Sequence, residues 1–144
     1  MKHLRAIFLM VFSTSMVCLG SSLAMDGGKP VLVLELNNAQ QMKTDCRLSF
    51  VVRNNMPSEI SELSLEVVLF DDRGLVDRFL KLKAGRLPVG KIRVKQYDLK
   101  QKTCTGLSKI LINDVSVCKG GNLSPQSCLK ALSLGSRTAI QLVM

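Results

Sequence analysis

Two stretches in the middle of the chain are apolar at every second position. They are residues 46–53 and residues 63–70, and in the first stretch the alternate apolar positions start at Cys46. A period of two is typical of a half-buried β-strand. Asparagine, proline and serine between the stretches favour a turn, and Gly74 accommodates the positive φ that a tight turn often needs. The pattern predicts two adjacent antiparallel strands with a polar turn between them.

Five further stretches carry a similar pattern, at residues 31–36, 75–83, 91–99, 107–117 and 137–143. The stretch 91–99 changes parity along its length. Ile92 and Val94 share one side, whereas Tyr97 fills the other. An extra residue near Gln96, forming a β-bulge, would explain that change.

Ser124 and Pro125 mark the start of a short helix. Serine is favoured at the N-cap and proline at the first helical position, so we expect helical turns over residues 126–132 that end near Gly135. About seven strands, with turn residues roughly every 8–12 positions, indicate a β-sandwich. The predicted fold class is therefore all-β, with one short C-terminal helix.

The first 24 residues predict a cleaved signal peptide. A cationic start precedes an apolar run over residues 6–19 that is too short to span a membrane. Small residues at Ser22 and Ala24 suit a signal peptidase. We expect cleavage after Ala24, a single mature domain over residues 25–144 without a transmembrane segment, and a periplasmic or secreted location.

Cys18 offers an alternative fate for the N-terminus. Lipidation of this cysteine would anchor the protein to a membrane. Lipoprotein processing requires a small residue before the modified cysteine, and Val17 is a poor one. Soluble release is therefore the favoured prediction.

The other four cysteines predict two disulfides. An even number of cysteines in a small exported domain indicates cystine staples, and four cysteines allow three pairings. We predict Cys46–Cys104 and Cys118–Cys128, worth roughly 4 and about 3 kcal/mol by loop entropy. No C-x-x-C is present, which disfavours a zinc ribbon or a thioredoxin-like redox site.

The sequence contains no recognisable catalytic set. The one histidine lies at position 3, so the predicted mature chain has none for a Ser-His-Asp or Cys-His arrangement. Asp71, Asp72 and Asp77 flank a turn, but their spacing does not match an EF-hand, and we interpret them as solvated turn acids. We expect a non-enzyme without catalytic, cofactor-binding or metal-binding residues.

Charge is unevenly spread along the chain. Residues 78–109 hold ten cations and one acid, whereas residues 59–77 hold six acids and one cation. If the strands at 75–83 and 91–99 pair as a hairpin, they place five basic residues on one solvent face. These predicted partner-binding residues are Lys81, Lys83, Lys91, Arg93 and Lys95.

Three interpretations of this basic face remain open. It can be a solubilising surface that guards an edge strand against pairing. It can dock an anionic partner, such as an acidic protein or another anionic component of the envelope. It can also contact the acidic segment of a second copy, head to tail. Nucleic acid is a disfavoured partner, because the protein is predicted to be exported and has few aromatic residues for stacking on bases.

Four short segments resemble the FxLYD-type immunoglobulin-like domains of exported bacterial proteins. They are Phe50–Asn54, Leu63–Gly74, Leu87–Gly90 and Gln96–Leu99. The whole predicted mature chain, including Lys109–Asn113 and the paired late cysteines, is also similar to a family of secreted alphaproteobacterial proteins of unknown function. The resemblance implies an immunoglobulin-like β-sandwich and an envelope location, and it implies no activity.

The leading functional hypothesis is a non-enzymatic binding or structural module of the bacterial envelope that docks a partner on its basic face. The alternative is an accessory or inhibitor domain of an envelope enzyme, acting through the loop region near Cys118 and Cys128. The sequence predicts no particular oligomeric state.

Overall fold

A computed structural model describes residues 31–144 of the chain. Within this range the protein forms eight β-strands, one α-helix and one 3-10 turn. The strands are β1 Leu32–Gln41, β2 Cys46–Asn54, β3 Glu62–Phe70, β4 Val76–Lys83, β5 Ile92–Leu99, β6 Lys109–Lys119, β7 Leu132–Ser136 and β8 Gln141–Val143. The helix α1 covers Pro125–Ala131, and the 3-10 turn covers Cys104–Gly106.

The strands form two four-stranded sheets that pack face to face. The first sheet has the order β5-β2-β1-β7, and the second has the order β4-β3-β6-β8. The predicted all-β sandwich with one short C-terminal helix is confirmed. Most pairs are antiparallel, but β7 pairs in parallel with β1, and β8 pairs in parallel with β6.

The core between the sheets is almost wholly aliphatic. Phe50 is the one aromatic among the largest fully buried side chains in the described range, and it packs edge-on against Tyr97 with ring centroids 5.9 Å apart. In β3 the buried side chains at 63, 65, 67 and 69 follow the predicted parity. The period of two therefore identified correctly which side of these strands is covered.

The prediction that residues 46–53 and 63–70 pair with each other is wrong. β2 pairs with β1 and β5, whereas β3 pairs with β4 and β6. The intervening connection crosses from one sheet to the other, so the two strands contribute to opposite layers. Alternation shows that one side of a strand is buried, but it does not show which strand lies beside it.

The predicted hairpin between residues 75–83 and 91–99 is also wrong. β4 pairs with β3, and β5 pairs with β2 in the other sheet. The connection between them is held in the sandwich by Leu87, which is fully buried and forms a bridge with Ile60. Because Leu87 is buried in the middle of this loop, the loop crosses from the second sheet to the first. A tight hairpin turn would instead keep both strands in one sheet.

The predicted bulge near Gln96 is absent from β5. Its pairing with β2 runs without interruption from Cys46 opposite Leu99 to Arg53 opposite Ile92. Ile92 and Val94 are opposite Arg53 and Val51 on the outer face of the first sheet, whereas Tyr97 and Leu99 have the inward parity. The change of parity therefore reflects exposed apolar residues on the outer face, and the backbone does not slip.

The C-terminal third differs in detail from the prediction. Ser124 caps α1 as expected, accepting a hydrogen bond from the Ser127 amide, but the helix ends at Ala131. The single predicted strand over 137–143 is replaced by β7 and β8, which join different sheets. β1 also continues to Gln41, with a register shift after Leu36, through residues predicted to be a polar connection.

The predicted signal peptide over 1–24, its cleavage after Ala24 and the question of Cys18 lie outside the described residues. Within residues 31–144, no helix has both the length and the apolar character that spanning a membrane requires.

Candidate partner-binding edge

The edge strands β4 and β5 lie on the same side of the sandwich. The Tyr97 hydroxyl on β5 donates a hydrogen bond of 2.8 Å to the Lys83 carbonyl on β4. Just after the C-terminal end of β5, the Lys100 carbonyl accepts a hydrogen bond of 3.3 Å from the Arg78 guanidinium, near the start of β4. The five predicted basic residues are therefore brought to one side of the molecule, although they belong to two sheets.

These residues, Lys81, Lys83, Lys91, Arg93 and Lys95, are called the basic edge below. They do not share the single hairpin face that was predicted. Lys81 and Lys83 lie on the outer face of β4, where Lys81 is opposite Glu66. Lys91 precedes β5 in a turn in which its amide donates to the Pro88 carbonyl.

Arg93 and Lys95 have the parity of the inward-facing side of β5. They are opposite Val52 and Phe50, whose side chains are buried in the core. Lys95 is half-buried, and a Cβ added to Gly85 would lie 3.8 Å from its Nζ. Charges on the inward parity are tolerated here because β5 is at the rim of the sheet, where long side chains reach water.

Four residues of the basic edge have no carboxylate partner within residues 31–144. Lys81 is the exception, at 4.0 Å from Glu66. Four of the other five cations of the basic segment form ion pairs inside the molecule, and the fifth, Lys109, lies 4.9 Å from the centroid of the Phe70 ring. These pairs are Arg78–Asp77, Arg86–Glu59, Lys100–Asp45 and Lys102–Asp77. The unpaired positive charge is therefore concentrated at Lys83 and in residues 91–95.

The acidic segment 59–77 is almost fully paired within the molecule. Five of its six acids form ion pairs, and Asp72 is the exception within the described range. Hydrogen bonds from Lys102 and Arg78 hold the pKa of Asp77 below its ordinary value, and a hydrogen bond from Arg86 lowers that of Glu59. This segment therefore offers little free negative charge to a second copy of the chain.

Exposed apolar side chains accompany the free cations on β5. Ile92 and Val94 are 50% and 61% exposed, and they alternate with Arg93 and Lys95. They are opposite Arg53 and Val51, on the outer face of the first sheet. Sequence analysis placed Ile92 and Val94 on one side of the strand and did not predict that this side is exposed; the basic residues that alternate with them were the available signal.

Asp71 stabilises the β3–β4 turn through its side chain. The Asp71 carboxylate accepts hydrogen bonds from the Leu75 and Arg73 amides at 2.8 and 3.0 Å, and these contacts hold its pKa below the ordinary value. Gly74 has the expected positive φ of 79°. No group of three potential metal ligands occurs in residues 31–144. The interpretation as a turn acid therefore fits Asp71, whereas Asp77 lies in β4 and pairs with Arg78 and Lys102.

Both predicted disulfides are present. Cys46–Cys104 joins the start of β2 to the 3-10 turn, and Cys118–Cys128 joins β6 to α1. Three of these four cysteines are buried, and Cys104 is half-buried. Each disulfide joins a strand to a short helical element, and none of the four cysteines lies in the alternating residues 92–95 of β5.

An open cavity of about 370 Å³ lies beside the first disulfide. Its lining is small or aliphatic, with two threonines, and contains no ionisable side chain. The lining residues are Ala39, Cys104, Thr105, Leu107, Thr138, Ala139 and Ile140. General acid–base chemistry requires a positioned titratable group, so this cavity offers no basis for such catalysis.

Comparison with known proteins adds no template for this arrangement. No protein-family model, curated protein or solved structure matches the chain.

Proposed function

We propose that the protein is a non-enzymatic, extracytoplasmic binding module of the bacterial envelope that docks an anionic partner on its basic edge. The observation that carries this proposal is the asymmetry of charge pairing. Five of the six acids of segment 59–77 are paired within the molecule, whereas Lys83, Lys91, Arg93 and Lys95 have no carboxylate partner in the described range.

Free cations clustered on one side raise the rate at which an oppositely charged partner is captured. Arg93 and Lys95 are two positions apart on β5, so they lie on the same side of the strand and repel each other. A role in binding would account for keeping them there.

The extracytoplasmic part of the proposal is supported by the cysteines. Two disulfides suggest an oxidising compartment, because such bonds rarely persist in the reducing cytosol. The predicted signal peptide and the FxLYD-type resemblance favour the same location.

Charge reversal tests the proposal. The variant K91E/R93E/K95E reverses the basic edge on β5. A matched control, K43E/K109E/K130E, makes the same change in net charge at three cations that also lack a carboxylate partner in the described structure. We expect both variants to fold, as checked by circular dichroism and thermal unfolding.

Each protein is then immobilised, and envelope extract is passed over it at low and physiological salt. We expect the wild type and the control to retain the same anionic component, and the K91E/R93E/K95E variant to lose it. Equal retention by both variants would refute docking on this edge. It would leave the solubilising interpretation of the lysines.

A further inference from the structure

We infer that β5 accepts an extended segment of a partner protein as an additional strand. The partner segment alternates acidic and apolar residues. Its acids lie opposite Arg93 and Lys95, and its apolar residues lie opposite Ile92 and Val94. This inference rests on the proposed function and specifies how the anionic partner is held.

β5 is the edge best suited to strand addition in the described part of the chain. β8 and β7 are short, with three and five residues. β4 has a register shift near Phe70, and the Tyr97 hydroxyl occupies its Lys83 carbonyl. β5 has eight residues and an unbroken register with β2, and no described strand pairs with its other side. Such an edge presents a row of unpaired peptide N–H and C=O groups.

The side chains of β5 specify what kind of strand fits. Residues directly opposite each other on neighbouring strands project to the same side of the sheet. An added strand therefore places one parity beside Arg93 and Lys95, and the other beside Ile92 and Val94. Acids at the first parity pair with the free cations. Apolar residues at the second parity cover side chains that are half or more exposed.

The interpretation of the basic edge as a solubilising surface accounts for Arg93 and Lys95 but not for the exposed Ile92 and Val94. Inward-pointing charges on an edge strand do discourage uncontrolled pairing. Exposed β-branched side chains at the alternate positions have the opposite effect, because they favour extended partners. The combination selects for an acidic strand and against a basic or neutral one.

A second copy of the chain is a poor occupant of this edge. An antiparallel β5–β5 pair centred on Val94 would bring Arg93 opposite Lys95, and like charges directly opposite are destabilising. No two-fold register brings an acid opposite either cation, because Asp98, the one acid of β5, has the other parity. The acidic segment 59–77 cannot substitute, since its acids are paired within the molecule and Asp72 lies in a turn.

A planar anionic membrane surface is also a poor match. It contacts one side of a strand at a time, whereas Arg93 and Lys95 project from one side of β5 and Ile92 and Val94 from the other. A strand lying alongside β5 engages both sides together. The geometry therefore favours an extended protein segment over a lipid headgroup layer.

The test uses a synthetic peptide of the same length as β5 that alternates glutamate with valine and has blocked ends. One control peptide has the same composition in an order without a period of two. Two further peptides carry N-methyl groups on alternate amides, one set for each parity, because a methylated amide cannot donate a hydrogen bond. Binding to the full protein is measured by titration calorimetry.

We expect the alternating peptide to bind, and the reordered peptide to bind about tenfold or more weakly, since four favourable cross-strand pairs are lost. One methylated peptide should lose binding and the other should keep it, because only one parity of amides faces β5. The protein variant I92S/V94S, which leaves the charge unchanged, should also weaken binding. Amide hydrogen exchange in β5 should slow in the complex.

Three results would overturn strand addition. The first is equal binding of the alternating and reordered peptides, and the second is equal behaviour of the two methylated peptides. The third is no peptide binding together with charge-dependent binding to vesicles of phosphatidylglycerol and phosphatidylcholine, which would assign the edge to lipid. None of these results depends on the charge-reversal test of the proposed function. Failure of strand addition can therefore be distinguished from failure of docking on the basic edge.

Discussion

Substitution of Asn54 should destabilise the protein, because this side chain holds the loop that precedes β5 in place. Asn54 is fully buried at the end of β2. Its side-chain amide donates to the carbonyls of Ser58 and Leu87 at 3.0 and 2.8 Å, and its side-chain oxygen accepts from the Met56 amide at 2.9 Å. Its backbone carbonyl also accepts from the Gly90 amide at 2.7 Å. One residue thus joins the connection between the sheets to the loop that leads into β5.

The cost of N54A follows from these contacts. Three side-chain hydrogen bonds at about 1 kcal/mol each suggest a loss of roughly 3 kcal/mol. The Leu87 carbonyl still accepts a hydrogen bond from the Ile60 amide, so losing the Asn54 donor costs little free energy at this carbonyl. The Met56 amide loses its side-chain acceptor, and Met56 is buried, so most of the cost falls there.

N54D separates hydrogen bonding from side-chain volume. The carboxylate fills the same space and accepts from Met56, but it cannot donate to Ser58 and Leu87. Burial beside two carbonyl oxygens raises the pKa of the introduced carboxyl in the folded state. The folded protein then binds a proton more tightly than the unfolded chain, so the lost stability returns as the pH falls through that raised pKa.

Urea unfolding followed by far-UV circular dichroism measures both effects. N55A is the matched control, because Asn55 is exposed and its side chain forms no hydrogen bond in the described structure. We expect N55A to change the free energy of unfolding by less than about 0.5 kcal/mol. A loss below about 1 kcal/mol for N54A, or an N54D variant as stable as wild type at neutral pH, would refute the assigned role.

Three other predictions follow from separate parts of the molecule. G120A should cost about 3 kcal/mol or more and G74A about 1, measured by the same unfolding assay, because an added Cβ at Gly120 would lie 1.9 Å from a backbone oxygen whereas Gly74 has no atom within 4 Å. Burial raises the pKa of Tyr97, the only tyrosine, above 10.0, and absorbance titration should show a midpoint above that value. Because the folded protein holds this proton more tightly than the unfolded chain, the free energy of unfolding should be constant below pH 10.0 and should fall as the pH rises through the folded-state pKa. C46A/C104A should lose roughly 4 kcal/mol by loop entropy, given the separation of 58 residues, and a loss near zero would contradict that account.

Local features of the fold were predictable from the sequence, because each depends on neighbouring residues. Alternation identified the inward side of β2 and β3, and Ser124 with Pro125 located the start of α1. The turn after β3 was predicted from Gly74. Each of these follows from the side-chain parity of a strand or from the chemistry of a few adjacent positions.

Strand neighbours were not predictable in the same way. β2 and β3 are consecutive and alternate identically, yet they lie in opposite sheets. Alternation does not encode which layer a strand joins. The crossing after β4 depends on burial of Leu87, a single apolar residue inside a loop with glycine and proline. The five basic residues were identified, but their division between two sheets follows from this topology.

The exposure of Ile92 and Val94 was not predicted, for a related reason. Ile92 and Val94 have the composition of core residues, and their exposure depends on β5 being outermost. Position within a sheet is a property of the whole chain. Only the alternation with Arg93 and Lys95 indicated it locally.

The parallel pairing of β7 with β1, and of β8 with β6, makes the last residues essential to both layers. Leu132 lies beside Leu32, so β1 acquires its second neighbour only after about a hundred further residues have been made. Contacts this distant along a chain form slowly. A nascent polypeptide that has not yet reached Leu132 lacks a strand in each sheet, so the sandwich closes only after nearly the whole chain has been made.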